Sequence, residues 1–356
     1  MPKASLFSNK VFYKSLRKNP SEAELNLIHT ILSKHDLERD YIYTHIIIDD
    51  FFGTTFTMAC KGLSLLIRTS INRNIWSLGD TLAKFCEKQS GITNMFFSPL
   101  GEGVMDDISY SIFQSYGPHQ IKDFNPEEKI VLSRFLGAAQ LSLSTVDTSE
   151  VKLPPLLPAY EDYFNLCTIS DYIPLGSERE FNKTSPISIA ELGEFLNFVR
   201  EDFIETLNNL PDSPEFLFVP CFGPLDVNYV FSDPYLRIMP PMFPYEGDPI
   251  IDMAINSNLL GLSLSEAVEV FANGHRKEKQ IIKYASYVSK ELWQPMIVPQ
   301  LLNKILSYAF PSFTTRSIID STHLYNVFCR NRILNSDKYK KFSKSVDTFF
   351  LNHIIY

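Results

Sequence analysis

The chain has 356 residues, 45% of them hydrophobic and 21% charged, with a formal net charge of −8. That apolar share supplies a real core and excludes long disorder, and the acidic balance argues against a general nucleic-acid binder. The charge is unevenly placed: residues 96–275 hold about 27 acids against about 8 bases, and residues 276–356 hold about 13 bases against about 5 acids, a polarity that can steer partners.

In chain order, residues 1–20 read as a basic lead. Ser21-Glu22-Ala23-Glu24 is a capping box, which predicts a helix running to about Lys34 with Leu25, Ile28, Ile31 and Leu32 on its apolar stripe. Residues 41–48 are β-branched and aromatic with three consecutive isoleucines, the pattern of a strand buried on both faces in a parallel sheet. The strand runs into Asp49-Asp50-Phe51-Phe52-Gly53-Thr54-Thr55-Phe56-Thr57, and the apolar run from Met58 to Ile67 then suits a helix. Strand, polar turn and helix open an α/β unit.

A further helix is expected over 76–90, a short strand at Asn94–Phe97, and a strongly signalled helix after Asn125-Pro126-Glu127-Glu128, where Asn caps, Pro takes the first helical position and acids meet the macrodipole. Prolines at 154, 155, 158, 174 and 186 make long regular structure unfavourable over 145–187. A second capping box, Ser188–Glu191, opens an amphipathic helix to about Leu210. Residues 211–249 again read as proline-rich and extended, with short strands at 216–219 and 229–231. A third box, Ser263–Glu266, begins a run of helices at 264–272, 278–292, 297–308, 318–331 and 338–354.

Chemistry is sparse. No CxxC pair, Walker A loop, GxGxxG, GxSxG or HExxH spacing occurs. The five widely spaced cysteines (Cys60, Cys86, Cys167, Cys221 and Cys329) read as reduced and buried. With no apolar run of about 18 residues to span a membrane, the expected compartment is the cytoplasm.

The most informative stretch is residues 46–57. Acids at a strand end can hold ribose hydroxyls or a phosphate-bound magnesium ion, while threonine hydroxyls and a helix N-terminus receive an anion. The run IIIDDFFGTTFT resembles the phosphoribosyl-pyrophosphate loop of type I phosphoribosyltransferases over about 12 residues, with Thr55 where that family has a glycine. The resemblance implies Asp49 and Asp50 on the ribose as the catalytic acids. Gly53, Thr54, Thr55 and Thr57 would then bind the 5′-phosphate, with Mg2+ as cofactor. The same residues are also similar to the opening of haloacid-dehalogenase-like phosphatases: Asp50-Phe51-Phe52-Gly53-Thr54 would be the nucleophile segment, with Phe52 at the family's second aspartate, and Gly101–Asp107 a later acidic loop.

The fold class expected is α/β and helix-rich, a small N-terminal α/β unit with a mainly helical C-terminal part. Residues 1–150 form the α/β part with the strand-acid-Thr-helix loop, 151–260 a proline-rich, partly extended middle, and 261–356 the helical C-terminal part. The function implied by the resemblance is a phosphate-ester- or nucleotide-binding transferase of phosphoribosyltransferase-like type acting on a phosphorylated small molecule. The alternative is a non-catalytic intracellular interaction protein that docks a protein partner through the aromatic and proline-rich strip at 233–245.

Overall fold

Local signals set the helix starts. The computed structural model describes residues 19–41, 43–50, 53–60, 62–70, 76–89, 95–97, 99–115, 119–120, 125–166, 189–213, 219–225, 230–233 and 235–291. Helix α1 (Glu22–Lys34) begins with the expected box: the Ser21 side chain accepts from the Glu24 N–H, and Glu24 accepts from the Ser21 N–H at 2.6 Å. Its face of Ile28, Ile31 and Leu32 is buried.

Strands β1 (Tyr43–Asp50), β2 (Gly53–Cys60), β3 (Leu63–Ser70), β4 (Pro99–Met105) and β5 (Ile108–Ser115) form one sheet in the order β1-β2-β3-β5-β4. Every pairing in it is antiparallel. Two sequence expectations are corrected here. The triple-isoleucine strand lies in an antiparallel sheet, and the stretch expected to turn into a helix is a β-meander, with Gly53–Cys60 and Leu63–Ser70 both extended. The physical reason is periodicity. On β2 and β3, Phe56, Met58, Leu65 and Ile67 alternate with Thr55, Thr57, Leu66 and Arg68, a period of two that helical residues do not keep.

That alternation gives the sheet two unlike faces. Phe56, Met58, Leu65, Ile67, Tyr110 and Ile112 pack beneath α1 as one apolar cluster. The opposite face carries Thr55, Thr57, Leu66, Arg68, Ser70, Ser109, Ser111 and Phe113, in register across β2, β3 and β5. At the end of α1, His35 Nε2 lies 2.9 Å from the Tyr110 hydroxyl, against Gly101.

Helix α2 (Ser77–Lys88) follows the meander, and the two-residue strand β6 (His119–Gln120) leads out of the sheet. Helix α3 (Pro126–Leu143) carries the expected cap, with Asn125 and Glu128 satisfying each other's N–H groups at 2.9 Å. Within the proline-rich stretch α4 (Leu156–Leu166) forms, with Pro158 in its first turn, where a missing N–H costs nothing. Then come α5 (Ile189–Asn208), β7 (Val219–Cys221), β8 (Val230–Asp233), β9 (Tyr235–Ile238), β10 (Tyr245–Gly247), α6 (Pro249–Leu260), α7 (Leu264–Ala272) and α8 (Glu278–Glu291). The helices expected at 297–308, 318–331 and 338–354 lie outside the described residues. β6, β8 and β9 make a small sheet, and β7 pairs β10. A second core joins α2, α3, Phe222, Leu225, Leu236, Ile238 and Leu260, so the sheet's own helix is packed into the helical part. The fold is thus mixed α/β, an N-terminal sheet lobe followed by a helical part.

Gly137 sets the approach of α3 to α7: a Cβ there would stand 2.0 Å from the Ala267 carbonyl oxygen. Gly137→Ala is expected to destabilise the protein by about 1–3 kcal/mol through forced separation of the helices. A lowered urea midpoint reads this out, and an unchanged midpoint contradicts the close packing. Cys86 and Cys221 are free and buried, as expected of reduced cysteines. Among the described residues no helix is long and apolar enough to cross a membrane.

Candidate functional site

The sequence-selected residues sit on a hairpin. Asp49 pairs with Thr54 and Asp50 with Gly53 across the β1–β2 turn. The side chains of Asp49 and Asp50, and residues Phe51 and Phe52, lie outside the described residues. Thr54 is half-buried, while Thr55 and Thr57 are buried on the inner face of the sheet, opposite Arg68 and Leu66. The helix N-terminus that was to receive a phosphate behind Thr54–Thr57 is absent, because Gly53–Cys60 is a strand. Among the described residues no three His, Cys, Asp or Glu side chains are grouped to hold a metal ion, so no ligand set for Mg2+ is found there.

Two other polar clusters stand out, and both lie where the sheet lobe meets the helical part. The first is centred on Arg68 of β3, which is 0% exposed. One terminal nitrogen donates to Asp80 Oδ1 of α2 at 2.5 Å and the other to the Pro240 carbonyl at 2.8 Å. Its guanidinium carbon lies 4.5 Å from the Trp76 ring centre and 5.2 Å from that of Phe113, the stacking that a planar cation favours. The Ser111 hydroxyl donates to the other Asp80 oxygen. Burial pushes the Asp80 carboxyl up, against the opposing pull of Arg68 and Ser111.

The second cluster is built by α6. Asp252 accepts the Gly223 N–H at 2.9 Å and the Phe222 N–H at 3.2 Å. One turn on, Asn256 accepts the Leu225 N–H at 2.7 Å and donates to the Gly223 carbonyl at 3.0 Å. The i, i+4 spacing places both side chains on one face of the helix. Together they satisfy four backbone groups of a buried loop that has no ladder to join. Gly223 has φ +71, and a Cβ on it would fall 2.1 Å from the Phe243 carbonyl oxygen, so both the conformation and the approach require glycine. Burial pushes the Asp252 carboxyl up to about 7, outweighing the Phe222 and Gly223 N–H groups, Tyr245 and Asn256. Asp248 caps α6 through the Ile250 N–H at 2.8 Å and is also raised by burial.

The strap Met239–Tyr245 joins the clusters. It leaves β9, where Ile238 bonds Met95 and Phe97 through its backbone. It passes Arg68 at Pro240, presses Pro241 against Gly79 at the start of α2, and covers Gly223 with Phe243. It then ends in β10, where Tyr245 pairs with Cys221. A Cβ on Gly79 would lie 1.7 Å from the Pro241 oxygen. Neither the strap nor the loop 219–225 contains an acidic residue.

Sequence reading missed Arg68, Asp80, Asp252 and Asn256. One available signal was Asp248-Pro249, a helix start of the same kind as Asn125-Pro126. No spacing within the sequence signals the pairing of Arg68 with Asp80 and Pro240.

No family model and no curated protein matches the chain. Solved structures do share its fold. Spectinomycin phosphotransferase APH(9)-Ia, solved with ADP and spectinomycin, is 10% identical with a TM-score of 0.51, and the match covers 85% of this chain and 94% of that one. Aminoglycoside phosphotransferase APH(4)-Ia is 10% identical with a TM-score of 0.50, covering 92% and 98%. At that identity the likeness is one of fold, a kinase-like sheet lobe followed by a helical lobe.

Proposed function

We propose that this chain binds a nucleoside phosphate where the sheet lobe meets the helical part, and that it transfers a phosphoryl group to a hydroxyl of a small molecule. The observation that carries this reading is the backbone loop Phe222–Leu225, fixed by Asp252 and Asn256 directly beneath the strap at the lobe junction. The fold shared with two phosphotransferases over nearly their whole length supports it. Phosphoryl transfer asks a protein mainly for positioning and electrostatic stabilisation, and a clamped, buried loop between two lobes supplies positioning. In the sequence Leu225 is followed by Asp226-Val227-Asn228. Asp226 is the candidate to accept the proton of the attacking hydroxyl. The phosphate-transferring reading needs no helix behind Thr54–Thr57, whereas the phosphoribosyltransferase type rests on Asp49, Asp50 and that loop alone.

The test is a binding titration with ADP and ATP, with and without magnesium, followed by phosphate-transfer assays on hydroxylated amines and sugars. ADP binding is expected in the wild type. Asp226→Asn should keep that binding within about threefold while losing at least about a hundredfold in transfer rate, in line with removal of a general base. Absence of nucleotide binding defeats the proposal. Transfer from phosphoribosyl pyrophosphate abolished by Asp50→Asn would replace it with the phosphoribosyltransferase reading.

A second reading, nucleotide-regulated binding of a partner without catalysis, is favoured by one observation. Between Val219 and Leu225 and between Tyr235 and Tyr245 the chain brings no carboxylate to the junction. Nucleotide binding without any transfer, and with Asp226→Asn silent, is the result this second reading expects.

A further inference from the structure

Protein kinases hold nucleotide phosphates with a lysine on the third strand, kept in place by an acid on the helix that comes after that strand. This chain places a cation and an acid on the corresponding elements, Arg68 on β3 and Asp80 on α2, but employs them differently. Arg68 has no exposed surface. Both of its terminal nitrogens are bonded within the protein, one of them to a backbone carbonyl 172 residues further along the chain. Rings of Trp76 and Phe113 stand against its guanidinium. Pro240 and Asp80 stand at its two terminal nitrogens, and each of these is held from elsewhere. Asp80 also takes the Ser111 hydroxyl, and the residue after Pro240 is pressed against Gly79.

We propose that Arg68 is a latch and not a phosphate arm: it fastens the sheet lobe to the strap 239–245, and through that strap fixes the clamped loop 222–225 relative to the sheet. The route is continuous on the structure. Arg68 holds Pro240, Pro241 abuts α2, Phe243 covers Gly223, and Asp252 and Asn256 hold Gly223 from the other side. Arg68 is a positioning residue in this scheme. A nucleotide bound at the junction therefore makes its phosphate contacts without the third-strand cation. The latch itself does not rest on the nucleotide reading.

Two measurements on Arg68→Lys test it, since lysine keeps the charge opposite Asp80 but cannot also reach Pro240 with a second nitrogen. Backbone hydrogen exchange at Met242, Phe243 and Tyr245 is expected to speed up at least about tenfold, while exchange within α3 and α7 stays at the wild-type rate. A role confined to bulk stability would raise all of them together, and an unchanged strap would equally overturn the latch. Any fall in ADP affinity is expected to accompany the faster exchange of the strap, because the loop beneath it is then less firmly placed. A loss of about tenfold or more with an unaltered strap makes Arg68 a phosphate ligand and defeats the proposal. If wild-type protein binds no ADP, the exchange result still decides the latch, and only the nucleotide reading falls. Gly79→Ala, which pushes Pro241 away from α2 without touching Arg68, should reproduce the local exchange change; failure to do so removes the strap from the route.

Discussion

Asp80→Ala is expected to lower stability by about 3–5 kcal/mol, the cost of leaving a buried cation without its counter-charge. Arg68 cannot escape the problem by titrating, because a guanidinium keeps its proton in proteins, and it has no route to solvent at 0% exposure. The same substitution orphans the Ser111 hydroxyl. A double replacement by apolar residues of similar volume, Arg68→Met with Asp80→Leu, should recover most of the loss, since exchanging a buried pair for well-packed hydrophobes is often neutral or stabilising. Urea midpoints of the two single variants and the double variant give the coupling directly. A double variant as unstable as the sum of the singles would show that the pair is not a unit.

Asp252→Ala has the second large expected effect. It removes the acceptor for two buried N–H groups, of Phe222 and Gly223, each worth about 1.5–3 kcal/mol when the acceptor is charged. At pH 8 the loss is expected at about 3–5 kcal/mol. The wild type should also be pH-sensitive, with a definite sign. The folded carboxyl is raised to about 7 from the ordinary carboxylate value of 3.8. Between those values the native state binds the extra proton, so stability falls as pH rises through that window. Asp80 and Asp248, both raised by burial, act in the same direction. Urea midpoints taken from pH 4.5 to pH 8 should therefore decline, and Asp252→Asn, which does not titrate, should flatten part of the decline. A midpoint that rises across this range would contradict the assignment of a carboxyl raised by burial.

What could be read in advance follows a physical division. Helix starts rest on chemistry within four residues: the boxes at Ser21 and Asn125 close in both directions, while at Ser263 only the Glu266 N–H bond to the serine forms, the Ser263 N–H going to Ser133 and Glu266 pairing with Arg134. Helix α7 runs from Leu264 to Ala272, the bounds expected from its start at Ser263. The meander is not legible as such because seven of the ten residues Met58–Ile67 are apolar, and a short apolar run does not by itself distinguish strand from helix. The alternation on β2 and β3 was the better guide. Asp49 and Asp50 drew attention because they are adjacent and stand beside threonines. The junction residues are scattered: Arg68, Asp80, Gly223, Pro240, Asp252 and Asn256 come together only through tertiary packing, and their types carry no spacing rule. Asp252 and Asn256 alone had a local signature, the i, i+4 step on a helix announced by Asp248-Pro249.

The covering of one sheet face by α1 has a bearing on how the chain assembles in time. Helix α1, the β1–β2–β3 meander and the β4–β5 hairpin are drawn from residues 22–115, and their pairings join neighbours in sequence apart from the β3–β5 seam. Short loops close at small entropic cost. The lid of Ile28, Ile31 and Leu32 lets this segment bury one apolar face from its own residues, before the later two-thirds of the chain exists. The helical part has no such independence, because β6 waits for β8 across more than a hundred residues and Phe96 waits for Ile238. As it emerges during synthesis, the sheet is thus positioned to serve as the template on which the remainder condenses.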